Sequence, residues 1–137
     1  MEKLELRYKA MLQALLTLQE AIEEYEISKL ERLTKHKLMR DGMIQRFEYC
    51  IDGFWKFFKL YLEVNLKIVV ESPSPKTILK LSLDMQLING EECIFLLDCV
   101  SDRNLTSHSY NEEVANELEK HIPFYFITMK SIIERLG

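Results

Sequence analysis

The sequence predicts an all-α fold, an up-and-down bundle of about five helices. Two observations lead there. Apolar residues recur in steps of three and four through long segments, the repeat of one helix face rather than the alternation of a strand. The chain also holds only 4 Gly and 3 Pro, too few for the many tight turns of an all-β fold. Its 137 residues, 47% of them hydrophobic, suit a single domain (1–137) with a sizeable core.

The first segment carries Leu4, Tyr8, Met11, Leu15, Leu18, Ile22 and Tyr25 on one stripe. Glu20, Glu23, Glu24 and Glu26 lie beside it and read as a solvated face. RLTKHKLMR then reads as a basic, polar joint. A second long helix is expected from about Met39 to Val69, striped by Ile44, Phe47, Ile51, Phe54, Phe58, Tyr61 and Leu62. Trp55 and Phe57 widen that stripe, so one side faces the bundle and another is available to a partner. Gly53 weakens this helix by about 1 kcal/mol relative to alanine, and a close helix crossing is the expected reason.

ESPSPK breaks the chain at Pro73 and Pro75. Ser74 is placed to cap a third helix, with Pro75 at its first position where a missing N–H does no harm. That short helix carries Ile78, Leu79 and Leu83 and ends near Asn89-Gly90. A fourth begins near Glu91, with Ile94, Leu97 and Val100 as its apolar positions. The last opens at Asn111 as N-cap, with Glu112 and Glu113 in the favourable first turn. Ala115, Leu118, Ile122, Tyr125, Met129, Ile132 and Leu136 give it an unbroken seam. Pro123 is expected to kink it or to cost a backbone hydrogen bond.

A net charge of -4 argues against a general electrostatic grip on nucleic acid, so any RNA or phosphate site must be local. Cys50, Cys93 and Cys99 are odd in number and lack a framework spacing, which points to reduced core thiols. With no CxxC and no His/Cys cluster, neither a metal nor a cofactor is expected. MEKLELRYKA is helix-patterned and is no signal peptide, and runs such as CIFLL are too short to cross a bilayer. The expected location is cytoplasmic, without a membrane partner. The chain lacks a Gly-rich phosphate loop, an Asp-x-Asp pair and a GxSxG, so it is not itself a nucleotidyltransferase.

SDRNLTSHSYNEE, Ser101 to Glu113, is polar between two apolar helices. In an unbroken helix Arg103 and His108 would stand roughly 140° apart around the axis and could not share a site. Thr106, Ser107 and Ser109 compete for backbone hydrogen bonds and can end the helix. If the chain turns there, Arg103 on the outgoing helix and His108 on the return converge. Arginine grips phosphate oxygens with a planar fork, and histidine moves protons near neutral pH. Such a pair suits phosphodiester cleavage: the imidazole deprotonates a ribose 2′-OH and the guanidinium holds charge on the transition state. The same residues also serve as helix-end caps and dipole partners.

RNLTSHSY resembles the Arg-x4-His-x-Tyr motif of HEPN-domain proteins. RDGMIQRFEYCIDGFWKFFKLYLE (Arg40 to Glu63), the Ser74-Pro75 step and NEEVANELEKHIPFY follow in the order found in nucleotidyltransferase substrate-binding proteins. These are the HEPN partners of minimal nucleotidyltransferases (MNT), and the likeness covers nearly the whole chain from Arg40 onward. It implies a helical bundle that forms a homodimer, with the Arg-x4-His segments of two subunits meeting at a cleft. It also implies a toxin–antitoxin pair in which the HEPN protein is a metal-independent ribonuclease. Arg103 would then hold the scissile phosphate, His108 would act as general base or acid, and Asn104 would help to orient the site. Tyr110 would be the acceptor of AMP groups from the nucleotidyltransferase antitoxin. A bulky anion there would block RNA and neutralise Arg103. One departure is that many relatives have a tryptophan early in the fourth helix, where this chain has ECIFLL.

Among the remaining polar residues, His36 reads as solvated and His121 as a packed or capping histidine. Lys35, Lys37 and Arg40 form a small basic surface patch. Asp102 is a candidate to orient His108 or to pair with Arg103. Two other readings stand beside the ribonuclease: a non-catalytic subunit that presents substrate or nucleotide to its nucleotidyltransferase, and a plain helical adaptor. RNA cleavage by the purified chain separates the first from both.

Overall fold

The computed structural model describes residues 2–108 and 111–137, and for Ser107 and His108 the backbone alone. The described residues form α1 (Glu2–Ser28), α2 (Leu33–Val64), α3 (Pro75–Asp84), α4 (Gly90–His108) and α5 (Glu112–Leu136), with no strand among them. Cross-helix contacts fix the directions. Tyr25 stacks on His36 and Tyr8 packs on Phe57, so α1 and α2 are antiparallel. Arg40 meets Glu112 and Phe47 meets Tyr125, so α5 runs parallel to α2. Asp102 meets Tyr125 and Glu92 meets Arg135, so α4 returns against α5. The up-and-down bundle predicted from the apolar spacing is the observed one.

The long helix α2 is the centre of the core, with Phe47, Phe54, Phe57 and Phe58 all fully buried. Phe57 therefore belongs to the interior, against Tyr8, Phe58 and Tyr61, and only Trp55 of the widened stripe stays half-buried. Cys50, Cys93 and Cys99 are free and buried, and burial pushes the Cys50 thiol up to about 12.

Several boundaries differ from the sequence reading. The basic joint is helical: α2 starts at Leu33, and the α1–α2 turn is no longer than residues 29–32. Its early turns are anchored by Arg40, which is buried and bonded to Glu112 and Asn116. Arg40 is thus no part of a surface patch, and His36, 2.9 Å from Ser28 Oγ and stacked on Tyr25, is not simply solvated. At its other end α2 stops at Val64, and Lys67 reverses the chain in the left-handed region (φ 56°).

Ser74 caps α3 as expected, accepting the Thr77 N–H. The helix stops at Asp84, short of Asn89-Gly90. Gln86 at φ 61° allows the Leu87 N–H to reach the Ser82 carbonyl, which closes the helix end. Asn89 and Glu92 then exchange side chain-to-backbone hydrogen bonds, a capping box that fixes the start of α4. The core stripe of α4 is Cys93, Leu96, Cys99 and Val100, whereas Ile94 is 65% exposed. The two cysteines behave as small apolar residues and shift the stripe by one position.

Asn111 caps α5 through the Val114 N–H, and the predicted seam is buried from Ala115 to Ile132. The helix continues through Pro123 as one element. At Gly53 an added Cβ would lie 3.7 Å from Met11 Sδ, an ordinary contact, so no close crossing demands glycine there.

Candidate functional site

The last turns of α4 are held from two sides. Arg103 points to α2, where Glu48 and Asp52 stand one turn apart beside the buried Phe47–Ile51–Phe54 stripe. Nε and Nη2 of Arg103 donate to the two oxygens of Asp52 at 3.3 and 3.2 Å. Nη1 donates to Glu48 Oε2 at 2.8 Å and to Thr106 Oγ1 at 3.3 Å. The hydrogen bonds to Asp52, with the charges of Asp52 and Glu48, outweigh partial burial and push the guanidinium pKa above its ordinary value. The side chain keeps 24% exposure, so the fork is held without being sealed from solvent.

Asp102, the preceding residue, points to α5. Its Oδ2 accepts the Tyr125 hydroxyl at 2.6 Å and lies 3.0 Å from His121 Nδ1. Burial, then the bond to Asp102, pushes the Tyr125 phenol well above its usual pKa. The carboxylates that hold Arg103 therefore come from α2, and the part assigned to Asp102 as its partner is taken by Glu48 and Asp52. A hollow of about 330 Å³ lies beside this cluster, bounded by Asp98, Ser101 and Phe124 among others.

The chain does not turn between Arg103 and His108. α4 is helical through His108, so the expected convergence on opposite sides of a turn does not occur. Thr106, read as a helix breaker, keeps its hydroxyl 2.7 Å from the Arg103 carbonyl within α4 and 2.6 Å from Glu48 across on α2, and the helix continues. Asn104 is exposed. The side chain of His108 and all of Tyr110 lie outside the described residues. Just beyond, Arg40 grips Glu112 with two nitrogens at 3.0 Å each and ties the start of α5 to α2. That bond holds the Glu112 carboxyl below the usual carboxylate range.

Sequence reasoning missed Glu48, Asp52 and Thr106 around Arg103, and Tyr125 beside Asp102. An acidic pair four residues apart beside the aromatic stripe of α2 was visible, but no spacing says which cation it meets.

Over residues 6–137 the sequence matches the family described as nucleotidyltransferase substrate binding protein like. The chain belongs to that family. The assignment read from RNLTSHSY and the Arg40–Glu63 stretch thus stands, and so does the HEPN-type bundle. A crystal structure of ttk003001694 from Thermus thermophilus is 35% identical, covers 92% of this chain and 98% of that one, and has a TM-score of 0.77. A mutant of the toxin-antitoxin MntA-HpeT shares the fold, with a TM-score of 0.64 at 13% identity over 90% of this chain and 94% of that one. No curated protein sequence matches.

Proposed function

We propose that this chain is a metal-independent ribonuclease toxin, paired with a nucleotidyltransferase antitoxin. Membership of the nucleotidyltransferase substrate-binding family supports the partner, and the fold shared with MntA-HpeT supports the toxin–antitoxin setting. The observation that carries the chemistry is Arg103, a half-open guanidinium locked in place on the helix that also bears His108. His108 takes the proton of a ribose 2′-OH, the oxygen attacks the adjacent phosphorus, and the bond to the 5′-oxygen breaks. The protonated imidazole then returns that proton to the leaving 5′-oxygen, while Arg103 and Asn104 hold the charged phosphorane.

Two subunits suit this reading. Five residues on one helix put Arg103 and His108 of a single subunit roughly 140° apart, so an Arg–His pair is best drawn from two copies. Ile94, Asp98, Ser101 and Leu105 follow in steps of four, three and four and form one row of α4. Ile94 and Leu105 are exposed, as is Phe124 across the hollow, which gives that row an apolar rim for a homodimer. The antitoxin transfers AMP from ATP to the Tyr110 oxygen with release of pyrophosphate, and the added anion then competes with RNA for Arg103.

The contacts of Arg103 with two carboxylates also favour a second reading, a non-catalytic subunit in which this arginine only braces α4 on α2. One experiment separates them. Purified chain is incubated with single-stranded RNA, alone and with its nucleotidyltransferase plus ATP. Cleavage that is lost in Arg103→Ala and His108→Ala, and silenced by the partner with ATP, supports the ribonuclease. Absence of cleavage by the parent chain, or equal cleavage by both variants, overturns it.

A further inference from the structure

The basic residues of this acidic chain are not evenly spread. Lys3 and Arg7 of α1 and Lys56 and Lys59 of α2 line one surface hollow of about 360 Å³. Its only acid is Glu63, already paired with Lys59 at 3.0 Å. Trp55, the one tryptophan of the chain, forms part of the same wall, and Lys56 Nζ sits 6.0 Å from its ring centroid. Lys3, Arg7 and Lys56 are exposed, and Trp55 is half-buried, so an aromatic face stands among exposed cations.

The position matters as much as the charge. Glu48, Asp52, Trp55 and Lys59 follow in steps of four, three and four and share one row of α2. The first two hold Arg103, and the last lies about 10 Å further along the helix axis. The basic, aromatic hollow and the carboxylates that hold Arg103 therefore lie along one row of α2.

Resting on the ribonuclease reading, we infer that this hollow is the entry site for single-stranded RNA, with a base stacked on Trp55 and flanking phosphates on Lys3, Arg7, Lys56 and Lys59. Stacking on an aromatic ring is sequence-tolerant, because every base has a π-face, and lysine and arginine follow the backbone. Double-stranded nucleic acid, whose bases are already stacked, lacks the free face. Recognition here is thus of unpaired strand rather than of sequence.

The lone tryptophan makes the test direct. The full-length protein is titrated with a single-stranded 2′-O-methyl oligoribonucleotide of about twelve nucleotides, a length such grooves accommodate. This probe binds but cannot be cleaved. Trp55 emission should be quenched in step with binding read by anisotropy of the labelled probe. Replacing Lys3, Arg7, Lys56 and Lys59 by alanine should weaken binding at least tenfold. It should also flatten the log–log salt dependence by about three, at roughly 0.7 per lost phosphate contact. The same sequence in a duplex should leave the emission unchanged.

Binding without quenching, or equal binding by the four-alanine variant, overturns the site. A variant that keeps its RNA but no longer copurifies with the nucleotidyltransferase does the same, and makes the hollow a protein-docking surface. Because the probe cannot be cut, its result is independent of catalysis. Quenching without RNase activity sinks the ribonuclease and spares the binding site, and the reverse outcome does the opposite.

Discussion

The guanidinium of Arg103 lies fork to fork on the carboxylate of Asp52, at 3.3 and 3.2 Å, and so joins α4 to α2 at the start of the Arg-x4-His segment. Both groups are partly exposed, so the pair fixes direction more than it adds stability. Asp52→Asn keeps the size and removes the charge. It should lower RNA cleavage about tenfold, as expected when a transition-state contact is loosened, with the melting temperature nearly unchanged. RNA affinity should hold or rise, since a carboxylate near the phosphate path is gone. A parallel loss of affinity and cleavage would instead make Asp52 a direct ligand-binding group.

Gly53 offers a stability test that also corrects the sequence reading. It lies inside α2, and a Cβ there meets Met11 Sδ at an ordinary 3.7 Å. Gly53→Ala should therefore stabilise the protein by up to about 1 kcal/mol, roughly 3 °C in melting temperature. A drop in melting temperature would mean that α1 and α2 approach more closely than this contact indicates.

The bundle was legible because its seams are strict. α5 keeps its steps of three and four from Ala115 to Ile132, and Ser74 and Asn111 announce their helices by capping chemistry. Ends set by backbone conformation were not legible: Gln86 and Lys67 take left-handed φ without glycine to signal it. On α4, Val100 was placed correctly and Cys93 and Cys99 were read as core thiols, but they were not joined into the helix stripe, which left Ile94 in the place of Cys93. The site was half legible. Arg103 stood out by its motif, but its partners come from 51 and 55 residues earlier, and no local spacing carries that pairing.

Glu92 gives a pH dependence with a definite sign. Burial opposes its charge, but Arg135 and the Asn89 N–H prevail and hold its carboxyl below the ordinary value. A folded-state pKa below the unfolded one contributes stability above the unfolded pKa of about 4.3, and that contribution disappears as pH falls through the folded value. Glu92→Gln should thus cost about 1 kcal/mol at neutral pH and almost nothing at the acid end. Thermal melts of both proteins across this range check it. A gap that is constant with pH would assign the loss to packing rather than to charge.

The proposed dimer face is tested on its rim. Phe124 is 63% exposed and Ile94 65%, so a glutamate at either position disturbs no internal packing. Phe124→Glu and Ile94→Glu should each shift the protein from dimer to monomer in light scattering, with helicity by circular dichroism retained. RNA cleavage should fall with the dimer fraction. A dimer that survives both substitutions uses another face.

The last prediction asks whether an Arg–His pair is drawn from two subunits. In a two-fold dimer each subunit meets its partner through the same patch, so a contact made in one direction is repeated in the other. Arg103→Gln and His108→Ala are each inactive alone under this scheme. Mixed and allowed to exchange, they form dimers of which about half are mixed, each with one complete Arg–His pair out of two, so about a quarter of parental activity should return. If both residues act within one subunit, no mixture restores cleavage. The α4 backbone favours the first outcome, because it runs unbroken through both positions and leaves the two roughly 140° apart on one cylinder.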